Sequence, residues 1–496
     1  MRENISNIIC DFVNLQKKIL LFLLILLLFI LQSCVSFQPT PQPFQNRIDS
    51  LIYSDFFKSS QAGISVYDLT ANKPLFQHNE KLLLRPASNQ KILTTAAGYL
   101  FLGEDYKFKT SVYHTGEVKD SICNGDIHIV GGLDPDFSSN DLDSLVSEIK
   151  HYGIKEIRGN LYGDVSAMDS LFWGEGWMWD DDPEPFAAYL TPLNINKNSV
   201  QIVYEPGEIG KEAIIELIPK TNFFQINNSS LTIDTGKTTI RITRDWINRN
   251  NTIPVKGNIT RTSKRDTISL NVFNPTFYFL SLMKESIEQT EISFKGKVDT
   301  LTLPGSAKKI FTYERNIEPV ITNTNKISDN LSSEMILRTL ASNSSNKPAT
   351  AAKGIRLIDS LITLTGLNPK NYRLVDGSGL SNYNLLSAEL LTEILKYYYF
   401  KKPDLFPKFL SSFPISGVDG TLRNRMKESR VFKRVHGKTG SLSGVSNLSG
   451  YLESRNGHMI AFSILIQNFV GTSVQARSVQ EKLCEIIFEM NYEYIQ

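Results

Sequence analysis

The chain has 496 residues, which at about 150 residues per domain suggests three domains or one large domain carrying insertions. Its 53 Lys and Arg nearly balance 51 Asp and Glu, for a formal net charge of +2. That balance gives no strong field for nucleic acid or anionic lipid, so any partner must be recognised locally.

At the N-terminus, Lys17 and Lys18 precede an unbroken apolar run over 19–31, shorter than the roughly 20 residues a transmembrane helix needs. A basic flank, a short apolar run and small residues beyond it describe a secretory signal over residues 1–33. Leu31-Gln32-Ser33-Cys34 resembles a bacterial lipobox, which implies lipidation of Cys34. The Pro-rich stretch Pro39-Thr40-Pro41-Gln42-Pro43 then reads as a semi-rigid tether, with 34–47 as lipid site and linker. The expectation is an exported, periplasmic protein held at a membrane by its lipid. An exported protein permits a Cys123–Cys484 disulfide, but spacing alone does not give the pairing, so both are left free here.

Residues 63–69, a turn over 71–74 and residues 75–77 read as strand, turn and strand. Near the other end, strands over 447–453 and 458–467 flank Arg455-Asn456-Gly457, and Asn-Gly is a strong hairpin signal. Both ends are therefore expected in one antiparallel sheet. Apolar periodicity predicts helices over 91–102, 330–341, 351–364 and 387–399. A helical cluster packed on that sheet makes the fold class α+β. Gly236-Lys237-Thr238 imitates the end of a phosphate loop, but Leu231 stands where a glycine is required, so it reads as a hairpin turn.

Three short motifs carry chemistry. In Ser88-Asn89-Gln90-Lys91, Pro86 and Ser88 lie at a predicted helix start, so Lys91 falls one turn on, on the same face. A serine hydroxyl is a weak nucleophile until a neighbour takes its proton, and a lysine kept neutral by burial can do so. Alone the pattern is cheap, since Ser147 with Lys150 and Ser281 with Lys284 match it too. Ser328-Asp329-Asn330 precedes a helix, where Ser328 reads as an N-cap. Beside Ser88 and Lys91, the Ser328 hydroxyl can pass a proton to a leaving amine, while the Asn330 amide holds Lys91 and a substrate carbonyl. Lys438-Thr439-Gly440-Ser441 reads as an edge strand whose glycine lets another backbone approach. A peptide adding alongside would place its carboxylate on Lys438 and Thr439, with the N–H groups of Ser88 and Ser441 as an oxyanion hole. The duller reading of Lys438 is a solvated edge lysine that resists aggregation. No Gly-x-Ser-x-Gly, His-Glu-x-x-His or Cys-x-x-Cys occurs, so metal and triad chemistries lack motif support, and no cofactor is expected.

In this order the motifs resemble those of penicillin-binding proteins and class A β-lactamases. The long separation of Ser88 from Ser328, with Val130-Gly131-Gly132-Leu133-Asp134-Pro135, Asp376-Gly377-Ser378-Gly379-Leu380-Ser381 and Gly417-Val418-Asp419-Gly420-Thr421-Leu422, narrows the likeness. The chain is similar to class C low-molecular-mass penicillin-binding proteins, the D-alanyl-D-alanine carboxypeptidase and endopeptidase family. That resemblance implies a β-lactamase/transpeptidase-like domain split into 48–103 and 305–496. Two smaller β-rich domains are inserted over 104–304, the inner one near 192–265. It also implies a Ser88 acyl-enzyme on peptidoglycan stem peptides ending in D-Ala-D-Ala, with Lys91, Ser328 and Asn330 as catalytic partners. β-Lactams should acylate Ser88 and stay, since no Glu-x-x-Leu-Asn stretch is present. Gly176-Trp177-Met178-Trp179-Asp180-Asp181-Asp182 resembles the family's segment that contacts the peptide side chain. Trp179, Asp180 and Asp181 would then suit an ammonium-bearing residue, against the plainer reading of an exposed acidic turn over packed Trp rings. The alternatives are a β-lactamase or esterase on the same scaffold, and a silent peptidoglycan-binding lipoprotein.

Overall fold

The structure, a computed structural model, describes residues 42–344 and 347–493; the expected signal, Cys34 and the start of the tether lie outside them. A helix, α1 (Gln42–Ile52), already begins inside the expected tether. Its Ile48 and Ile52 are buried against the C-terminal helix, so amphipathic docking overrides the linker reading. Pro43 is tolerated there because it sits in the first turn.

The chain ends meet in one five-stranded antiparallel sheet. Its strands are β1 (Gln61–Asp68), β2 (Lys73–His78), β3 (Val435–Leu442), β4 (Val445–Glu453) and β5 (Met459–Gln467), in the order β3-β4-β5-β1-β2. Ile64 of β1 lies opposite Ile464 of β5. Alternation along β5 explains the layering. Ile460, Phe462, Ile464 and Ile466 face α1 and α7 (Val474–Glu493), while Ala461 and Leu465 face the helical cluster. That cluster comprises α2 (Gln90–Phe101), α3 (Ile317–Lys326), α4 (Asn330–Ser344), α5 (Ala351–Leu364) and α6 (Ala388–Lys401). In α2 every residue from Gln90 to Tyr99 is buried, so the helix carrying Lys91 is the hub of the domain.

The insertion is built on a mixed sheet with strand order Val298–Thr300, Leu161–Asp164, Ile127–Val130, Lys107–His114 and Lys308–Asn316, covered by helices Ser139–His151 and Pro275–Glu288. Lys308–Asn316 pairs along Lys107–His114, so the insertion extends to Asn316 rather than 304, and the catalytic domain resumes at α3. The inner module has two three-stranded sheets. Asp266–Asn271 pairs with Ser199–Glu205 and carries the module past the expected end at 265. Gly236-Lys237-Thr238 is not a hairpin turn: Gln225–Ile233 and Arg241–Ile242 are separated by Thr252–Thr260, which pairs with both.

Leu133, Met168, Trp177, Ala187 and Leu190 of the insertion pack on Leu331 and Met335 of α4, welding the insertion to a catalytic helix. Cys123 and Cys484 are free and buried in separate cores. Among the described residues no helix is long and apolar enough to cross a membrane.

Candidate active site

Ser88 sits in a single helical turn, Ala87–Asn89, that leads into α2. Ala87 has φ +46°, a left-handed conformation costly for a residue with a Cβ. The surroundings enforce it. Asn447 of β4 donates from Nδ2 to the carbonyls of Arg85 at 3.0 Å and Pro86 at 2.7 Å, and Asn89 Nδ2 donates to Ser449 Oγ at 2.6 Å. Gly440 allows the edge strand to close on this turn, since a Cβ there would lie 2.7 Å from the Pro86 oxygen. Gly379 does the same from the other side, where a Cβ would lie 1.8 Å from the Ala87 oxygen.

Lys91 is fully buried, and its Nζ has three partners: Ser88 Oγ at 3.0 Å, Asn330 Oδ1 at 2.6 Å and the Ser378 carbonyl at 2.7 Å. Two of these only accept. A neutral amine therefore spends both N–H bonds on Asn330 and Ser378 and keeps its lone pair for the Ser88 hydroxyl. Burial lowers the ammonium to about 8, against the opposing pull of Asp376, Asp329 and Glu334.

Lys438 is also buried, so it is not a solvated edge lysine. Its Nζ donates to Ser328 Oγ at 2.9 Å and to the Thr439 carbonyl at 2.8 Å. Burial, and then repulsion from Lys91, hold its pKa well below the usual lysine value. Ser328 is not the helix cap. Asp329 takes that task, with its Oδ1 accepting from Leu331 N at 3.2 Å, while Ser328, at φ +63°, turns its hydroxyl to Lys438. The Asn330 amide nitrogen, expected on a substrate carbonyl, donates to the Phe186 carbonyl of the insertion at 2.8 Å.

Ser88, Ser328, Thr439 and Ser441 line one cavity of about 480 Å³. Thr421, Asn424, Arg425, Ser446, Asn447 and Arg477 complete it, and no motif in the sequence marks any of these for a role. A proton acceptor on a serine, a second hydroxyl fed by a second lysine, and a water-accessible cavity together suit acyl transfer.

Comparison with known proteins agrees. The D-Ala-D-Ala carboxypeptidase 3 (S13) family profile matches residues 44–487. The chain belongs to the S13 peptidase family. It is 28% identical to the D-alanyl-D-alanine carboxypeptidase DacB of Haemophilus influenzae, over 88% of this chain and 90% of that one. It is 26% identical to a D-alanyl-D-alanine carboxypeptidase of Actinomadura sp. strain R39, over 84% and 80%. The crystal structure of penicillin binding protein 4 from Haemophilus influenzae superposes with a TM-score of 0.78 at 26% identity, covering 90% of this chain and 99% of that one. A complex of that protein with a β-lactam gives 0.74.

In this S13 peptidase the segment after Gly176 does not bring Trp179, Asp180 or Asp181 into the Ser88 cavity. Trp179 is 70% exposed and packs against Trp246 with the rings tilted and their centroids 4.9 Å apart, and Asp181 caps its own turn through Met178 N. Asp182 is buried and bound to Arg244 and Tyr189. Within this segment Trp177 is buried, and its Nε1 donates to Asp376 at 3.0 Å. Asp376 also accepts from Gly379 N, Ser381 N and Asn384 Nδ2, shaping the loop whose Ser378 carbonyl receives Lys91. Glu334 of α4 supports the same loop, accepting from Gly377 N and Ser378 N at 2.9 and 2.8 Å.

Proposed function

We propose that this S13 peptidase cleaves the D-Ala-D-Ala bond of peptidoglycan stem peptides through a Ser88 acyl-enzyme. Neutral Lys91 takes the Ser88 proton as Oγ attacks the carbonyl between the two D-alanines. The N–H groups of Ser88 and Ser441 receive the oxyanion. The departing amine takes up that proton through the Ser328 hydroxyl, which Lys438 holds in place, so Lys91 is neutral again when water hydrolyses the ester. A free D-alanine leaving group gives carboxypeptidase activity; a cross-linked stem gives endopeptidase activity. A β-lactam follows the same path to a lasting acyl-enzyme. The observation that carries this reading is the placement of Lys91 Nζ, with its two N–H bonds taken and its third direction on Ser88 Oγ. The N-terminal signal and Cys34 support an exported lipoprotein whose catalytic body faces the wall from a membrane surface.

The test is labelling of the purified chain with a fluorescent penicillin, read by gel and intact mass beside Ser88→Ala. A stable adduct on the wild type alone is expected. Rapid penicillin hydrolysis without adduct would make the protein a β-lactamase instead.

A further inference from the structure

Besides the Phe186 carbonyl and Trp177, the insertion sends a cation, Lys197, to the catalytic centre. Asn196, Lys197 and Asn198 have φ of +48°, +58° and +50°, three consecutive left-handed residues without a glycine. Such a run persists only where its surroundings over-determine it. Here both flanks are anchored. Asn196 bonds Ser139 through its Oδ1 and Nδ2, and Asn198 Nδ2 donates to the Tyr189 carbonyl and Asn194 Oδ1 at 2.8 and 2.7 Å. Between them, Lys197 Nζ contacts the carboxylates of Asp136 and Asp329 and lies 3.2 Å from Ser332 Oγ. Asp136 in turn accepts from Asn323 of α3 at 2.8 Å. Asp329 caps α4 and also accepts from Ser332 Oγ at 2.6 Å. It stands between Ser328, which receives Lys438, and Asn330, which receives Lys91.

We propose that Lys197 is a positioning residue of the S13 reaction, through which the inserted module fixes and neutralises Asp329 and so presents Ser328 and Asn330 to Lys438 and Lys91. The inference rests on Ser88 and Lys91 being the acylating pair. Four charged groups act on Lys91: Asp329 and Glu334 at and within α4, Asp376 on the facing loop, and Lys438 on β3. The three carboxylates favour its protonated form, and Lys197 offsets one of them. Without that cation, Asp329 acts on Lys91 uncompensated, and the amine holds its proton to higher pH. A tie that merely held the domains together would affect stability and leave that titration alone.

The experiment measures the acylation rate of the full chain by a penicillin from pH 6 to 10. In Lys197→Met the midpoint of the acid limb is expected to rise by about half a unit or more, slowing acylation at neutral pH about threefold or more. Lys197→Arg keeps the charge and is expected to retain the wild-type midpoint. Asp329→Asn, which keeps a capping oxygen, is expected to move the midpoint down. Should Lys197→Met fail to fold, Lys197→Met with Asp136→Asn removes one of the two stranded carboxylates and carries the same expected rise. A folded variant lacking the Lys197 cation with an unchanged midpoint overturns the proposal. Absence of any Ser88 adduct on the wild type overturns the underlying active-site reading instead.

Discussion

Asn447 on β4 donates its amide to the Pro86 carbonyl at 2.7 Å, so the sheet holds the turn that carries the nucleophile. The same side chain reaches the Arg85 carbonyl and accepts from Ile466 N at 3.1 Å, which makes it a bolt between β4, β5 and the Ser88 turn. Asn447→Ala strands these buried groups and should cost about 1–3 kcal/mol of stability. It should also slow Ser88 acylation by about tenfold or more, because the left-handed Ala87 loses what enforces it. Urea unfolding and acylation kinetics on one preparation check both effects.

Acylation should rise with pH through about 8, where Lys91 loses its proton. Below that point the rate should fall about tenfold per unit, since only the neutral amine accepts the Ser88 proton. The stability effect has a definite sign. The unfolded lysine holds its proton up to 10.5 and the folded one only to about 8, so stability from this group is lost as pH falls from 10.5 to 8 and changes no further below. Lys91→Met should remove the acid limb and reduce acylation by about 10²–10⁴. A limb that persists in that variant would give the base role to another group.

Much of this was legible in the sequence because it is local. The ends of the sheet are written in alternating apolar residues and an Asn-Gly hairpin, and α5 spans the same 351–364 as its periodicity. Ser88 and Lys91 share a face because three residues make one helical turn. What escaped was long-range. Nothing near Lys438 announces that its ammonium is buried on Ser328, and nothing near Asp329 announces that it, and not Ser328, caps α4. No motif surrounds Lys197, whose partner Asp329 lies far along the chain at the start of the catalytic helix. The domain limits slipped for the same reason: Lys308–Asn316 pairs with a strand some two hundred residues earlier, which no local pattern records.

Trp177→Phe should separate the aromatic packing of the insertion from its hydrogen bond. The ring stays in the cluster with Met335 and Leu380, but Asp376 loses the Nε1 donor at 3.0 Å. Weakening one bond to a buried carboxylate should cost about 1–3 kcal/mol. Acylation should slow because the loop bearing the Ser378 carbonyl loosens around Lys91. Thermal melting beside acylation rates would reveal this, and an unaltered melting point would show that Asp376 is sufficiently held by its remaining donors.

Arg477 offers the sharpest test of how the cavity reads its substrate. The two lysines of the motifs are buried and committed, Lys91 to Ser88 and Lys438 to Ser328. Arg425 is tied to Glu481 and Gln480. Arg477 is an exposed residue that lines the same cavity without an acidic partner among the described residues, in company with Thr421 and Thr439. A terminal carboxylate entering beside Ser441 would meet that guanidinium fork. Arg477→Gln should therefore raise KM for a peptide ending in D-Ala-D-Ala about tenfold with kcat little changed. The same peptide ending in an amide should lose little between wild type and variant. An equal loss on both substrates would mean that Arg477 shapes the cavity without reading the carboxylate, leaving that contact to the threonine hydroxyls.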